Sequence, residues 1–544
     1  MKLRSSIFTL VTFALTSCLT ACEQGNSESQ VSPQDEIKQT ENQQVPGLTE
    51  ARNPVIWADV PDPSVLRVDD TYYMSSTTMH MNPGLPIMKS KDLMNWELVN
   101  YAYTTLTDSA EMNLEEGQDS YGRGSWASSL RYVDGVYYVS TFANNTNKTY
   151  IYKTRDIENG PWTVSVLPEL YHDSSLFFED GRVFLVYSRG DIRIVELTAD
   201  ASAVKPNGIN QLLIPDSSAI AGDDIMLHAE GSHVQKINGR YYVSLITWPR
   251  DGMRTQLVYR ADKLTGPYEG RVVLQHQGIA QGGFIDTPEG DWYAFLFKDN
   301  GAVGRIPYLV PVTWEDGWPL LGEGGKVPKK LGFSVKGTSL QGIVASDEFN
   351  AGERQVESLG LEWQWNHNPD NSAWSLTERP GYLRLTNARL DEDFLNTRNT
   401  LTQRTFGPQS SAQVALDVTN MEDGDVAGLG ALQANYGYVG VKRNNDGYEL
   451  VMVEGSSEEV RELGALPIDQ KTVYLKIDMD FRDQADLAHF YYSLNGTEWD
   501  SIGAPLKMSY TLPHFMGYRF ALFNYATQKT GGFVDFDYYR IGAQ

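Results

Sequence analysis

The feature that most constrains this chain is a phrase it repeats. DDTYYMSST (residues 69–77), DGVYYVSTF (134–142), DGRVFLVYS (180–188), NGRYYVSLI (238–246) and EGDWYAFLF (289–297) each place a tight turn before a strand of aromatic and β-branched residues. Asp-Gly and Asn-Gly dipeptides supply the positive φ angles of a two-residue hairpin turn, and apolar runs precede most copies (PSVLRV, SSLRYV, SSLFFE, SHVQKI). Each copy therefore reads as a β-hairpin. The copies recur about every 46 to 65 residues, near the length of a propeller blade, and second hairpins fit between them around SKDLMNW (90–96) and TRDIENGPW (154–162). The prediction is an all-β chain whose residues 51–335 form a five-bladed β-propeller.

In a propeller the first strand of each blade lines the central channel, so the residues just before each repeated turn should point to the axis. Asp62 lies eight residues before Asp70, Asp173 eight before Gly181 and Glu230 nine before Gly239, while Ser128 and Ser129 hold the matching place in the second copy. Three carboxylates from three blades are thus expected at one mouth of the channel.

From about residue 336 the texture changes. Residues 336–344 read as a linker, and 345–544 as many short strands with Gly, Asn and Asp turns, a β-sandwich pattern. Its closing run GGFVDFDYYRIG (531–542) alternates cleanly and is expected to pair with the opening strand near Phe349.

The first 22 residues have a basic start, a short apolar run and small residues before a cysteine, which is the grammar of a secretory signal. LTAC (19–22) resembles the bacterial lipobox, which implies that Cys22 is lipidated and that the chain is an exported lipoprotein held at a periplasmic or cell-surface membrane face by that anchor alone. Cys18 and Cys22 are the only cysteines, so disulfides cannot hold the folded part together. Residues 23–50 are polar, acidic and nearly free of aromatics, and read as a disordered tether. A formal net charge of -25 makes nucleic acid and anionic membrane surfaces poor partners while leaving neutral ligands unaffected.

Converging carboxylates suit the cleavage of a glycosidic bond by inversion. One carboxyl group protonates the leaving oxygen and another, roughly 6.5 to 9.5 Å away, deprotonates a water on the opposite face of the sugar. Glu230 has the longer reach and suits the general acid, since nearby carboxylates raise its proton affinity. Asp62, between two prolines in PDPS, suits the general base. Asp173 is then a modulator of the acid's pKa.

The stretches NPVIWADVPDPSVLRVDDTYYM (53–74), GSWASSLRYVDGVYYV (124–139), HDSSLFFEDGRVFLVYS (172–188), HAEGSHVQKINGRYY (228–242) and GIAQGGFIDTPEGDWYAFLFKDNGAVGRIPYLVPVTWEDGWP (278–319) together resemble glycoside hydrolase family 43, in order and over nearly all of residues 51–330. The resemblance implies the same propeller, an inverting mechanism and the same three roles. It further implies that Trp126 walls the sugar pocket and that Arg305 binds substrate and the modulator carboxylate. Gln281, counted with the substrate-binding positions, stands where relatives often have a histidine near a central calcium, so no cofactor is required and no central metal is expected. Met79, His80, Met81 and Asn82 replace the Phe and Trp that xylosidases of the family often show, with His80 placed as a hydrogen-bond donor in the pocket.

The C-terminal part resembles the concanavalin-like sandwich of these enzymes, in which a loop closes the pocket and favours removal of single end sugars. Phe515, in LPHFMGYRF, is the lid residue this implies. Asp347 and Asp535, near the two ends of the sandwich, are oxygen ligands suited to a structural calcium. The leading reading is an exo-acting glycosidase that removes β-1,4-linked xylose from plant or algal hemicellulose oligosaccharides. The alternatives are an α-L-arabinofuranosidase or bifunctional enzyme acting on arabinoxylan, arabinan or xyloglucan side chains, and a non-catalytic sugar-binding propeller. A propeller fructosidase is disfavoured because its acid sits in a Glu-Cys pair, whereas Gly231 follows Glu230 here.

Overall fold

The repeated turns take the left-handed conformation their residues predict: φ is 50° and 77° at Asp134–Gly135, 49° and 72° at Asp180–Gly181, and 49° and 82° at Asn238–Gly239. In the computed structural model, which describes residues 47–337, 342–350, 358–445 and 447–543, each such turn joins the first two strands of a four-stranded antiparallel blade. The first strands are Ser64–Val68, Ser125–Val133, Ser175–Glu179, Ile225–Ile237 and Ala280–Asp286 for blades I to V. The turns at 91–96 and 155–162 join the outer strands of blades I and II.

Apolar layers between neighbouring blades hold the ring. Tyr73, Ile87, Leu130 and Val139 pack between blades I and II, and Phe295, Met74 and Tyr72 between V and I, where Arg67 also donates to Asp286. Side chains of the inner strands stitch successive blades together. Ser64 Oγ accepts from Leu130 N at 3.0 Å, Ser129 Oγ from Leu176 N at 3.0 Å, Ser175 Oγ from Val234 N at 3.0 Å and Gln235 Oε1 from Phe284 N at 2.7 Å.

Arg131 crosses the channel and donates to Leu176 O (2.7 Å), Leu130 O (2.7 Å), Ser175 Oγ (2.8 Å) and Val234 O (3.2 Å). Burial pushes its guanidinium down only to about 10, so it remains a cation at neutral pH. Arg131→Met leaves four acceptors without their donor, each at about 1 kcal/mol or more, and relief from burying a charge offsets only part of this. The expected result is a thermal midpoint several degrees lower, read by calorimetry, with the three carboxylates untouched.

Two packed sheets form the second domain. Strands Val460–Ile468, Gly447–Gly455, Tyr436–Asn444, Asp425–Leu432, Arg519–Ala526, Leu401–Arg404 and Gln364–Asn366 make one of them in spatial order, and its last member is Met81–Asn82, contributed by blade I. The closing strand Phe533–Gly542 reaches the start of the domain as expected, with Asp347 N donating to Tyr539 O at 2.8 Å and Tyr539 N returning to Asp347 O at 2.7 Å.

Several expectations change. The signal, Cys22 and residues 23–46 of the tether lie outside the described residues, but Leu48–Arg52 is a strand paired with Lys330–Lys336, so the tether does not extend to residue 50. Asp347 accepts from Phe349 N and Trp363 Nε1, and Asp535 is paired with Arg384 at 2.7 Å and Arg379 at 3.0 Å. Two guanidiniums already supply positive charge at Asp535, which fits a divalent calcium poorly.

Candidate active site

The serine ladder fixes which residues are equivalent around the ring. Since Ser64, Ser129 and Ser175 occupy one rung, the counterparts of Asp62 and Asp173, two residues earlier, are Ala127 in blade II and not Ser128 or Ser129. In blade IV, Val234 takes the place of Leu130 and Leu176, so the counterpart is Gly231, and in blade V it is Gln281. Four of these five positions are left-handed: φ is 51° at Asp62, 46° at Asp173, 69° at Gly231 and 61° at Gln281.

Glu230 therefore comes from the residue before this position. The inner strand of blade IV is irregular on both sides of it, between Leu227 and Glu230 and between Glu230 and His233. Such bulges re-aim a side chain. Gly231 is required here twice over: by its φ, and because a Cβ would lie 2.8 Å from the Gln281 side chain.

Asp62, Asp173 and Glu230 do converge. Glu230 Oε2 lies 2.9 Å from His172 Nε2, whose other near oxygen is Asp173 Oδ2 at 3.7 Å. The ligand-type atoms of His172, Asp173 and Glu230 all fall within 4.8 Å of one another. Burial, reinforced by the charges of Glu230 and Asp62 and opposed by His172, pushes Asp173 up to about 7. Burial also raises Asp62, and the charges of Arg305 and then Arg254 counter only part of that rise.

Arg305 sits elsewhere than the family resemblance implies. Its Nη1 donates to both oxygens of Asp62, at 3.2 and 3.0 Å, and so binds the expected base rather than Asp173. Asp59 holds Arg305 in place: its Oδ1 accepts from Arg305 N at 2.7 Å and its Oδ2 from Gly517 N at 3.0 Å. One buried carboxylate thus ties blade V to the sandwich loop that carries Phe515.

Phe515 stacks on Trp126, ring centroids 5.1 Å apart and 19° from parallel, and the Arg305 guanidinium lies 4.5 Å from its centroid. Tyr510, from the same loop, adds a ring 6.2 Å from Phe515. Gln281 is buried, with its backbone N donating to Gln256 Oε1 at 2.7 Å and its side chain against Gly231.

His80 is a correction. It is fully buried in the seam between the domains, where Nε2 is 2.9 Å from Asn366 Oδ1 and the ring packs against Tyr121, His367 and His514. Burial pushes it down to about 3, so it is a neutral packing residue rather than a donor to sugar. The blade I loop that carries it, including Met81–Asn82, was recruited to complete a sandwich sheet. Of the two histidines that flank Glu230 in HAEGSH (228–233), His228 is exposed and His233 is buried and pushed down to about 3, by burial first and then by Arg131.

The sequence reading singled out neither His172 nor Asp59 nor Arg254. His172 carried a signal, since it directly precedes Asp173. Asp59 and Arg254 carried none, because their partners lie far away in the chain.

A five-bladed propeller with three carboxylates at its mouth, capped by an aromatic residue from a β-sandwich, defines a glycosidase. Residues 51–319 match the family described as Glycosyl hydrolases family 43, and residues 346–542 match the Beta xylosidase C-terminal Concanavalin A-like domain. The chain belongs to glycoside hydrolase family 43. It is 28% identical to a beta-xylosidase of Formosa agariphila over 96% of this chain and 95% of that one. It is 30% identical to a non-reducing end alpha-L-arabinofuranosidase of Bacteroides ovatus, over 61% of this chain and 64% of that one. Among solved structures, a bifunctional GH43-CE protein of Bacteroides eggerthii is 56% identical with a TM-score of 0.89; the match covers 91% of this chain and 64% of that longer one.

Proposed function

We propose that this enzyme removes terminal β-1,4-linked xylose from xylo-oligosaccharides, with inversion. Glu230 protonates the glycosidic oxygen, Asp62 takes a proton from the attacking water, and Asp173 keeps a third carboxyl group beside the acid. The observation that carries the exo reading is the stack of Phe515 on Trp126 above Arg305. An aromatic from the second domain walls the mouth of the channel, which suits a chain end better than the middle of a chain.

Arg305 favours the ionised, base-competent form of Asp62 against the burial that raises its pKa, because a carboxylate paired with a buried guanidinium loses its proton more easily. The second reading, α-L-arabinofuranosidase or a dual activity, draws on the relative in Bacteroides ovatus, since the two sugars can present similar hydroxyls to one pocket. We further propose export as a lipoprotein anchored through Cys22.

Nitrophenyl xyloside and nitrophenyl arabinofuranoside, assayed side by side with xylobiose and with NMR of the first-formed anomer, test the reading. Xylose released from xylobiose as the α-anomer is the expected result. No turnover of any of these substrates sinks it, and a β-anomer formed first refutes inversion.

A further inference from the structure

The roles proposed for the three carboxylates leave His172 unused, although its Nε2 is the nearest titratable partner of Glu230. The ring is held in place on one side by Phe142, centroids 5.0 Å apart. Its side chain is 28% exposed, against 17% for Glu230 and 8% for Asp173 and for Asp62, so His172 is the member of the group with the readiest access to solvent. An inverting enzyme leaves its acid deprotonated after every turnover, and that acid must recover a proton before the next one.

We propose that His172 is the proton store of the general acid: its imidazole and the Glu230 carboxyl group share a proton across their 2.9 Å hydrogen bond, and His172 returns a proton to Glu230 after each turnover. This rests on the reading of Glu230 as the acid. The shared proton starts on the imidazolium: its Nε2–H bond breaks as an O–H bond forms on Glu230. In the forward step that O–H bond breaks and the proton goes to the glycosidic oxygen, leaving a carboxylate beside a neutral imidazole, which takes up a proton from solvent and so reloads the pair. No electron changes hands and no further reactant is needed.

The charged groups facing the pair favour storage of the proton on His172. Asp173 Oδ2 lies 3.7 Å from Nε2, Arg189 Nη1 lies 3.9 Å from Glu230 Oε2, and Asp62 is coupled to both carboxyl groups from across the site. Phe142, on the remaining side, carries no charge. Burial pulls the imidazolium down, but the charge of Asp173 and the hydrogen bond and charge of Glu230 raise it above the usual histidine value. A raised group keeps its proton to higher pH and loses it as pH rises through its pKa, so the store sets the alkaline limb of activity, and that limb moves to lower pH when the imidazole is removed.

The test is His172→Gln and His172→Ala in the full chain, with xylobiose and nitrophenyl xyloside as substrates. For His172→Gln, kcat on xylobiose should fall about tenfold with KM little changed, the alkaline limb should move to lower pH, and nitrophenyl xyloside should be much less affected. Added imidazole should restore part of the His172→Ala rate. Wild-type kcat with an unmoved limb overturns the proposal, as does a loss that neither shifts the limb nor responds to imidazole in variants whose thermal midpoints are unchanged. Failure of the underlying reading would look different: Glu230→Gln itself would hydrolyse xylobiose.

Discussion

Glu230→Gln should lower kcat/KM on xylobiose by about 10²- to 10⁴-fold, the usual contribution of a general acid, while sparing nitrophenyl xyloside. The asymmetry comes from the leaving group. A sugar alkoxide must be protonated as the bond breaks, whereas a nitrophenolate departs unaided. Asp62→Asn should lose activity on both substrates, because every substrate needs its water deprotonated. Each substitution is nearly isosteric, so neither should unfold the chain, and circular dichroism with a melting curve checks this. Equal losses on both substrates for Glu230→Gln, or near-normal turnover in either variant, would overturn the assignment. These two positions differ from an arbitrary pair of surface acids because two separate blades are built to present them: Asp62 by a left-handed residue ahead of its strand, Glu230 by a double irregularity within its own.

That construction shows what could be read from the chain alone. Hairpin turns are local, so the repeat and its spacing gave the blades, and the offset from each turn found all three carboxylates. The same offset failed by one residue at Glu230 and misplaced the equivalent in blade II, because counting residues cannot see a bulge. Gly231, not Glu230, is the register equivalent of Asp62, and the sequence hinted at this only through the extra residue between Glu230 and its turn.

Contacts between the domains were beyond reach for a different reason. His80 looked like a pocket residue because it lies in a blade I loop, but whether that loop faces sugar or protein depends on how residues almost 300 positions away dock, and it is Asn366 and His367 that enclose it. Asp59 is similar: its partners, Arg305 and Gly517, are separated from it by 246 and 458 positions. Phe515 was reachable only through family resemblance, since nothing in LPHFMGYRF distinguishes a lid from a core residue.

Arg305→Met should be the most damaging change that leaves all three carboxylates in place. Asp62 is buried, and burial alone drives a carboxylate toward its neutral form; the guanidinium 3.0 Å away is the larger of the two charges that counter it, Arg254 being the other. Without Arg305 the pKa of Asp62 rises. A base works only when ionised, so the acid limb of kcat/KM moves to higher pH and the enzyme loses activity from the acidic side first. Removing one partner of a buried pair costs about 3–5 kcal/mol where the other charge persists, and Asp62 escapes part of this only by taking up a proton. Stability and activity are therefore linked: raising pH ionises the orphaned carboxylate, so the variant should become less stable relative to wild type as pH rises through the new pKa. Arg305 also lies under Phe515, so the lid loses its cationic seat and KM should rise as well. A pH–rate profile together with melting curves at acid and alkaline pH separates these effects. An unmoved acid limb would show that Asp62 does not depend on Arg305 for its charge, and with it would fall the assignment of Arg305 as the residue that keeps the base ionised.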